Sequence, residues 1–335
     1  MLSLTNKNRG KLYLAALIIQ GSMLRKLLLL SVIAFLVSCK KDNPLSGVVS
    51  VPPAKLDSIR AVNDEELVNF LKGHTYREGS ISEVADGDIS LWDDSRLGTT
   101  SINIRPSEFD LDEADYTTDE IENGVPHNLY YFVVNPGVGN QPSVADSVYV
   151  QYTGRNLDLS IFDEVKQGGS WFDLATIQAP FQGFRGFAEG VPFFKASEGV
   201  AENLDGTFTA INPGHGFIFF PSAMASYNTI TADIPQYGPI FFEITLIEAL
   251  ATDHDGDGIL SILEDRNGNG YLYDDNTDED YENENRLPVA NDFLDADDDG
   301  DGTPTKCEIS LGLDPHDSSS YYDADNDGDG DDCDD

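Results

Sequence analysis

Six-residue units of the form D-x-[DN]-x-[DN]-G constrain this chain more than any other feature. They begin at Asp253, Asp265, Asp297 and Asp325, and each ends on a glycine, at Gly258, Gly270, Gly302 and Gly330. Oxygen side chains at alternate positions around a tight bend can converge on one hard cation such as Ca²⁺. Between Asp253 and Asp335 there are 29 acidic side chains against three basic ones, Arg266, Arg286 and Lys306. Charge at that density cannot collapse onto an apolar core by itself, so residues 251–335 read as an acidic calcium-binding repeat segment. It is expected to be extended without metal and to order on binding it.

In the first unit Asp253, Asp255, Asp257, Ile259 (through its carbonyl), Ser261 and Glu264 fall at positions 1, 3, 5, 7, 9 and 12 of an EF-hand loop. Asp297, Asp299, Asp301, Thr303 and Glu308 repeat the pattern. Asp265, Asn267 and Asn269 start a third loop, with Asp274 or Asp275 to close it, and Asp325, Asp327 and Asp329 start a fourth. The helices that flank a true EF-hand are not evident. The recurrence instead resembles thrombospondin type-3 repeats, with dockerin-like loops a second resemblance; the former implies loops wrapped on several Ca²⁺ ions with little core. Cys307 and Cys333 are compatible with one internal disulfide, with two free thiols or with an intermolecular bridge.

The rest of the chain is less extreme. Over all 335 residues, Lys+Arg 20 against Asp+Glu 60 gives a net charge of −40, which argues against nucleic-acid binding because too few cations remain to displace phosphate counterions. Residues 1–39 carry five basic side chains and no acid. Met23-Leu24-Arg25-Lys26, the apolar run Leu27 to Val37 and Ser38-Cys39 describe a secretory signal too short to span a bilayer as a helix. Leu36-Val37-Ser38-Cys39 resembles a bacterial lipobox, which implies lipidation of Cys39 and an outer-membrane lipoprotein facing the periplasm or the cell surface. Its only membrane contact would be that anchor. The charged stretch after Cys39 resembles lipoproteins of the Bacteroidetes group. Residues 40–125 read as a tether and N-terminal extension with a short helix near 63–73, Asn63 as its N-cap and Glu66 completing a capping box.

Residues 126–250 alternate at the period of strands. Leu129 to Val134, Ser147 to Tyr152, Phe217 to Phe220 and Ile240 to Leu246 are β-rich runs punctuated by Gly and Pro, with one short helix around Gly186 to Phe194. That pattern reads as an α+β antiparallel sheet with a single helix. Five ordered blocks resemble the FKBP-type peptidyl-prolyl cis-trans isomerase domain. They are Val148-Tyr149-Val150-Gln151-Tyr152-Thr153-Gly154, Ile161-Phe162-Asp163, Phe184 to Gly190, Phe220-Pro221-Ser222, and Ile234-Pro235 followed by Ile240 to Leu246. The fold implied is an FKBP-like antiparallel β-sheet wrapped on one short helix, followed by the calcium-stabilised irregular repeat segment.

The resemblance also implies a pocket lined by Tyr152, Phe162, Asp163, Phe172, Phe184, Phe187, Tyr227, Ile234 and Phe242. Phe187 stands where the family usually has Trp, the Phe184 amide would hold a substrate carbonyl, and Asp163 would orient Tyr152. Proline-containing polypeptides are the implied clients and isomerisation needs no cofactor. This sequence departs from the family at Ala225-Ser226-Tyr227-Asn228, where the pocket Tyr is displaced by one residue, and at Gln236, where a second Pro is usual. A peptide-binding or chaperone module without turnover, and a calcium-stiffened surface spacer or adhesion element, are the alternative readings.

Overall fold

Leu56, Leu67, Phe70 and Leu71 share one side of an 18-residue helix, α1, Leu56–Gly73. Asp57 in its first turn and Lys72 in its last complement the helix dipole. The computed structural model describes residues 53–179, 182–324, 330, 331 and 333. The lipobox with Cys39 and the fourth loop's Asp325, Asp327 and Asp329 lie outside them. The helix starts seven residues before Asn63, so Asn63 is not its N-cap. Buried in mid-helix, Asn63 accepts from the Ser222 amide at 2.9 Å and hydroxyl at 2.6 Å and donates to the Tyr237 carbonyl at 2.9 Å. Its capping potential is spent on tertiary bonds instead.

A hairpin follows, β1 (His74–Arg77) and β2 (Ser80–Glu83), turning through Glu78 and Gly79, both with positive φ. Next come β3 (Leu97–Ile104), α2 (Thr118–Asn123, with a Thr117/Glu120 capping box), β4 (Val125–Pro136), β5 (Ser147–Asn156) and β6 (Ile161–Asp173). Two short helices, α3 (Leu174–Gln178) and α4 (Arg185–Gly190), precede a small hairpin of β7 (Gly199–Glu202) and β8 (Phe208–Ile211). Strands β9 (Gly214–Phe220) and β10 (Ile240–Leu250) complete the sheet. The acidic segment adds α5 (Glu279–Asn285) and α6 (Thr305–Leu311) among short 3-10 turns. Among the described residues no helix is long and apolar enough to cross a membrane.

Six strands form one antiparallel sheet in the order β3-β4-β9-β10-β5-β6. The continuous Phe217–Phe220 run has its reason here, since β9 is a central strand buried on both faces. Phe217 and Phe219, with Phe241 of β10, meet Leu67, Phe70 and Leu71 of α1 on one face. Ile218, Phe220, Phe242 and Ile244 meet Leu174, Phe187 and Ala188 of the short helices on the other. The sheet is therefore not wrapped on one short helix: two short helices cover one face and a long one covers the other. Strand β3 comes from the stretch before residue 126 and pairs along its full length with β4.

His127 on β4 is buried, its Nδ1 2.8 Å from the Val125 carbonyl and its Nε2 without a partner. Burial pushes its imidazole down from 6.5 to about 4. The folded state then prefers neutral His, so this stability is complete above the unfolded value and is lost as pH falls from about 6.5 toward 4. Denaturant titrations of wild type and His127→Gln at pH 7 and pH 4.5 should show wild type losing about 2–3 kcal/mol more than the variant. Equal losses would remove the assignment.

Candidate functional site

Tyr152, Phe162, Phe172, Phe184, Phe187 and Phe242 converge on the face of the sheet that carries α3 and α4. Phe242 on β10 is the hub, with ring centroids 5.9 Å from Tyr152, 5.5 Å from Phe162, 5.9 Å from Phe184 and 5.2 Å from Phe187. Phe172 lies 5.5 Å from Tyr152 and 5.4 Å from Phe187. Most of these contacts are tilted or edge-on, the geometry that aromatic quadrupoles favour. Phe187 and Phe242 are buried, whereas Tyr152, Phe162, Phe172 and Phe184 are half-buried. The result is an apolar floor with a rim that keeps part of its surface toward solvent. Trp171, next to Phe172 on β6, is exposed and pairs with Tyr149 instead.

Local chain geometry sets this arrangement. Register shifts between β5 and β6 fall at Val150/Tyr152 and Gly154/Arg155, on either side of Tyr152–Gly154, and such irregularities re-aim side chains. A Cβ at Gly154 would stand 2.5 Å from the Phe162 ring and 2.9 Å from Phe242, so only glycine lets the two rings meet over β5. At Gly186 a Cβ would lie 2.3 Å from Phe220, and its absence seats α4 on the sheet. The Tyr152 hydroxyl donates to Asp163 Oδ2 at 2.7 Å. Burial first, then the bond to Asp163, pushes the phenol's pKa well up, so it stays protonated.

The other two residues implied by the resemblance, Ile234 and Tyr227, belong to the same buried core as Phe187 and Phe242. Ile234 is core, its amide accepted by the Thr231 hydroxyl at 2.8 Å. Tyr227 is fully buried, its ring tilted against Phe109 at 4.6 Å and edge-on to Tyr237 at 5.1 Å, and its hydroxyl donates to the Ala54 carbonyl. The extension before residue 126 supplies Ala54 and Phe109, which give Tyr227 better partners than the rim does.

The three described acidic loops share one hydrogen-bond code. The first Asp accepts from the position-six glycine amide in each: Asp253 from Gly258 at 3.2 Å, Asp265 from Gly270 at 2.8 Å, Asp297 from Gly302 at 3.0 Å. Position three accepts from position five, and position five from position seven: Asp255–Asp257–Ile259, Asn267–Asn269–Tyr271 and Asp299–Asp301–Thr303. The glycines at positions four and six have positive φ in all three. Asp255 Oδ2, Asp257 Oδ2, Asp275 Oδ2, Asp299 Oδ2, Asp301 Oδ2 and both oxygens of Glu264 and Glu308 are buried without a hydrogen bond. Ser261 is different: its hydroxyl is taken up by His254, accepting from the backbone amide at 3.2 Å and lying 2.8 Å from Nδ1.

Burial, then neighbouring carboxylates, pushes Glu264 and Glu308 up to about 8, Asp299 to about 7, and Asp255, Asp275 and Asp297 to about 6. Oxygens so placed are costly to ionise at neutral pH, and a divalent cation removes that cost. The donor set, all hard oxygens around glycine turns, fits Ca²⁺. The structure also gathers residues that the spacing did not mark. Asp298 joins Asp255, Asp257 and Glu264, and Asp278, Glu282 and Asp295 form another group. Asp298 occupies position two of its loop, which the pattern treats as a non-ligand, so no local signal could have found it.

The third loop docks on the aromatic site's own helices. Gln178 at the end of α3 donates to the Gly270 carbonyl at 2.9 Å and accepts from the Leu272 amide at 3.2 Å. Arg185, between Phe184 and Gly186, forms two 2.8 Å bonds to Glu108, one of 3.2 Å to Glu189, and lies 4.3 Å from the centre of the Tyr271 ring. Asp274 pairs with Arg105. A disulfide joins Cys307 and Cys333, with Cα atoms 5.6 Å apart.

No family model matches the chain. Its fold, a mixed structure built on antiparallel sheet, has FKBP-type isomerases among its structural neighbours, over about a third of the chain. One is a peptidyl-prolyl cis-trans isomerase from Pseudomonas syringae pv. tomato, 23% identical over 36% of this chain and 74% of that one, TM-score 0.28. FkpA from Escherichia coli is 23% identical over 36% and 47%, TM-score 0.27, so the likeness spans about half of that protein. The N-terminal domain of FKBP42 from Arabidopsis thaliana is 14% identical over 36% and 86%, TM-score 0.28.

Proposed function

We propose that the chain is a peptidyl-prolyl cis-trans isomerase of FKBP type. It assists the folding of exported proline-containing polypeptides, is held at the outer membrane through lipidated Cys39, and carries a calcium-binding C-terminal segment. The observation that carries the isomerase reading is the cluster of six aromatic rings with Tyr152 bonded to Asp163. Rotation about an X-Pro bond crosses a barrier of about 18–20 kcal/mol through a twisted amide that has lost resonance. The twisted amide is less polar than the solvated planar one, so an apolar, water-poor surface favours it without any nucleophile. The floor of Phe187 and Phe242 would seat the proline ring and the rim would exclude water. By the resemblance, the Phe184 amide at the start of α4 would hold a client carbonyl.

Buried oxygens without partners in the loops support the calcium part of this reading. Asp255, Asp257 and Glu264 would hold one ion, Asp297, Asp299, Asp301 and Glu308 another, and Asp265, Asn267, Asn269 and Asp275 a third. Bound ions would supply the positive charge that lets these carboxylates stay ionised and the loops stay closed.

A protease-coupled isomerisation assay on the full chain tests the enzyme reading. A proline peptide should relax faster than without protein, Phe187→Ala should lower that rate by roughly tenfold or more, and Tyr152→Phe should cost a few-fold, consistent with one lost hydrogen bond. A wild-type rate equal to the uncatalysed one would leave a peptide-binding module as the better reading. Tyr227, fully buried with its hydroxyl spent on the Ala54 carbonyl, and Gln236 in place of a second proline, favour that second reading.

A further inference from the structure

The spacing of the acidic loops assigns each loop its own ion, yet the side chains are not partitioned loop by loop. We propose that the ion of the first loop, 253–264, is completed by Asp298 of the second loop, so that one cation site spans both. The inference rests on the calcium reading above and says which residues build the site. One ligand oxygen from each of Asp255, Asp257, Glu264 and Asp298 falls within 4.8 Å of the others. The Asp298 side chain is 0% exposed, and neither of its oxygens has a hydrogen bond. Both oxygens of Glu264, itself 1% exposed, are equally without partners. Four carboxylates facing one another, away from water, is the arrangement a cation stabilises and nothing else here does.

The second loop turns its own ligands the other way. Asp297, Asp299 and Asp301 form a separate group, so successive residues of Asp297-Asp298-Asp299 serve two different sites. Asp298 is fixed for this role by its amide, which donates to the Thr305 hydroxyl at 3.1 Å. Two further groups lie near it: Asp292, a carboxylate close enough to repel it, and His316, whose Nδ1 stands 3.6 Å from Oδ2, beyond hydrogen-bond reach. Asp253, whose oxygens accept the Gly256 and Gly258 amides, does not join this group, and Ser261 is held by His254, which gives a ligand from elsewhere a place. One consequence is that the two loops load together, because the first cannot close until the second is folded.

Calcium titration of the full chain by calorimetry, with amide exchange to locate the response, tests this. Asp298→Asn should weaken one site by roughly tenfold or more, with protection lost at Gly258 and Ile259 of the first loop. Asp299→Asn should act on the second loop's site. The calcium-free state adds a discriminating measurement. If Asp298 is a ligand, neutralising it relieves repulsion, so in EGTA the variant should melt at or above wild type. If Asp298 serves only as a partner of His316, the variant should melt lower in EGTA and bind calcium like wild type, which overturns the proposal. Wild type that takes up no calcium would instead overturn the calcium reading itself. His316→Asn, with the site untouched, should retain wild-type affinity.

Discussion

Removing calcium from the full chain with EGTA at neutral pH is expected to unfold residues 253–308 while the six-stranded sheet stays folded. The apolar core available to that segment is small: Leu272 and Phe293 with Ala145 and Ala175, and Ile262 and Tyr273 at its edge. Against it stand buried oxygens of Asp255, Asp257, Glu264, Asp298, Asp299 and Glu308 with no partner. At free calcium 100-fold above Kd, one bound ion contributes about 2.7 kcal/mol, so the loss of two or three ions outweighs so small a core. The amides of Gly258, Gly270 and Gly302, each bonded to the first Asp of its loop, should lose protection by about 100-fold or more per ion. The amides of Phe219 and Ile244 in the sheet should not change. Full protection of the loop amides in EGTA would mean that side-chain packing, not metal, holds them.

Arg185→Ala should be the most destabilising single change at the junction of the aromatic site and the acidic segment. The guanidinium is buried among Glu108, Glu189 and the Tyr271 ring. Burial pushes Glu189 up to about 7 even against the pull of Arg185. Without the arginine, two buried carboxylates face each other, a situation that costs about 3–5 kcal/mol and lowers Tm by roughly 6–20 °C. Replacing Glu108 and Glu189 by Gln in the same variant should recover part of the loss, since the penalty belongs to the orphaned charges rather than to a strong ion pair. A variant melting with wild type would show the clamp to be dispensable. Because Arg185 lies on α4 between Phe184 and Phe187, the same change should loosen the aromatic rim and free Tyr271 from the sheet domain.

Much of the candidate site was legible along the chain. Val148 to Gly154 alternates as a strand must, and Gly154 sits where two rings need the space of a missing Cβ. The D-x-[DN]-x-[DN]-G spacing marked four loop starts, and the three within the described residues share one set of internal bonds. Each of those features is settled within about a dozen residues by dihedral limits, side-chain alternation and short-range hydrogen bonds, so sequence alone determined it.

Other features answer to partners far away in the chain. Leu97–Ile104 falls in the stretch read as tether and extension, yet it is the sheet's edge because β4 offers it a full register. Asn63 looks like a helix cap until Ser222 and Tyr237 claim its side chain. Tyr227 looks like a pocket residue until Phe109 and Ala54 claim its ring and hydroxyl. Asp298 looks like a spacer until the second loop folds against the first and turns it toward Glu264. Local spacing fixes what a side chain is able to bind; only the tertiary structure decides which of its neighbours reaches it first, because burial makes the unpaired alternative too costly to keep.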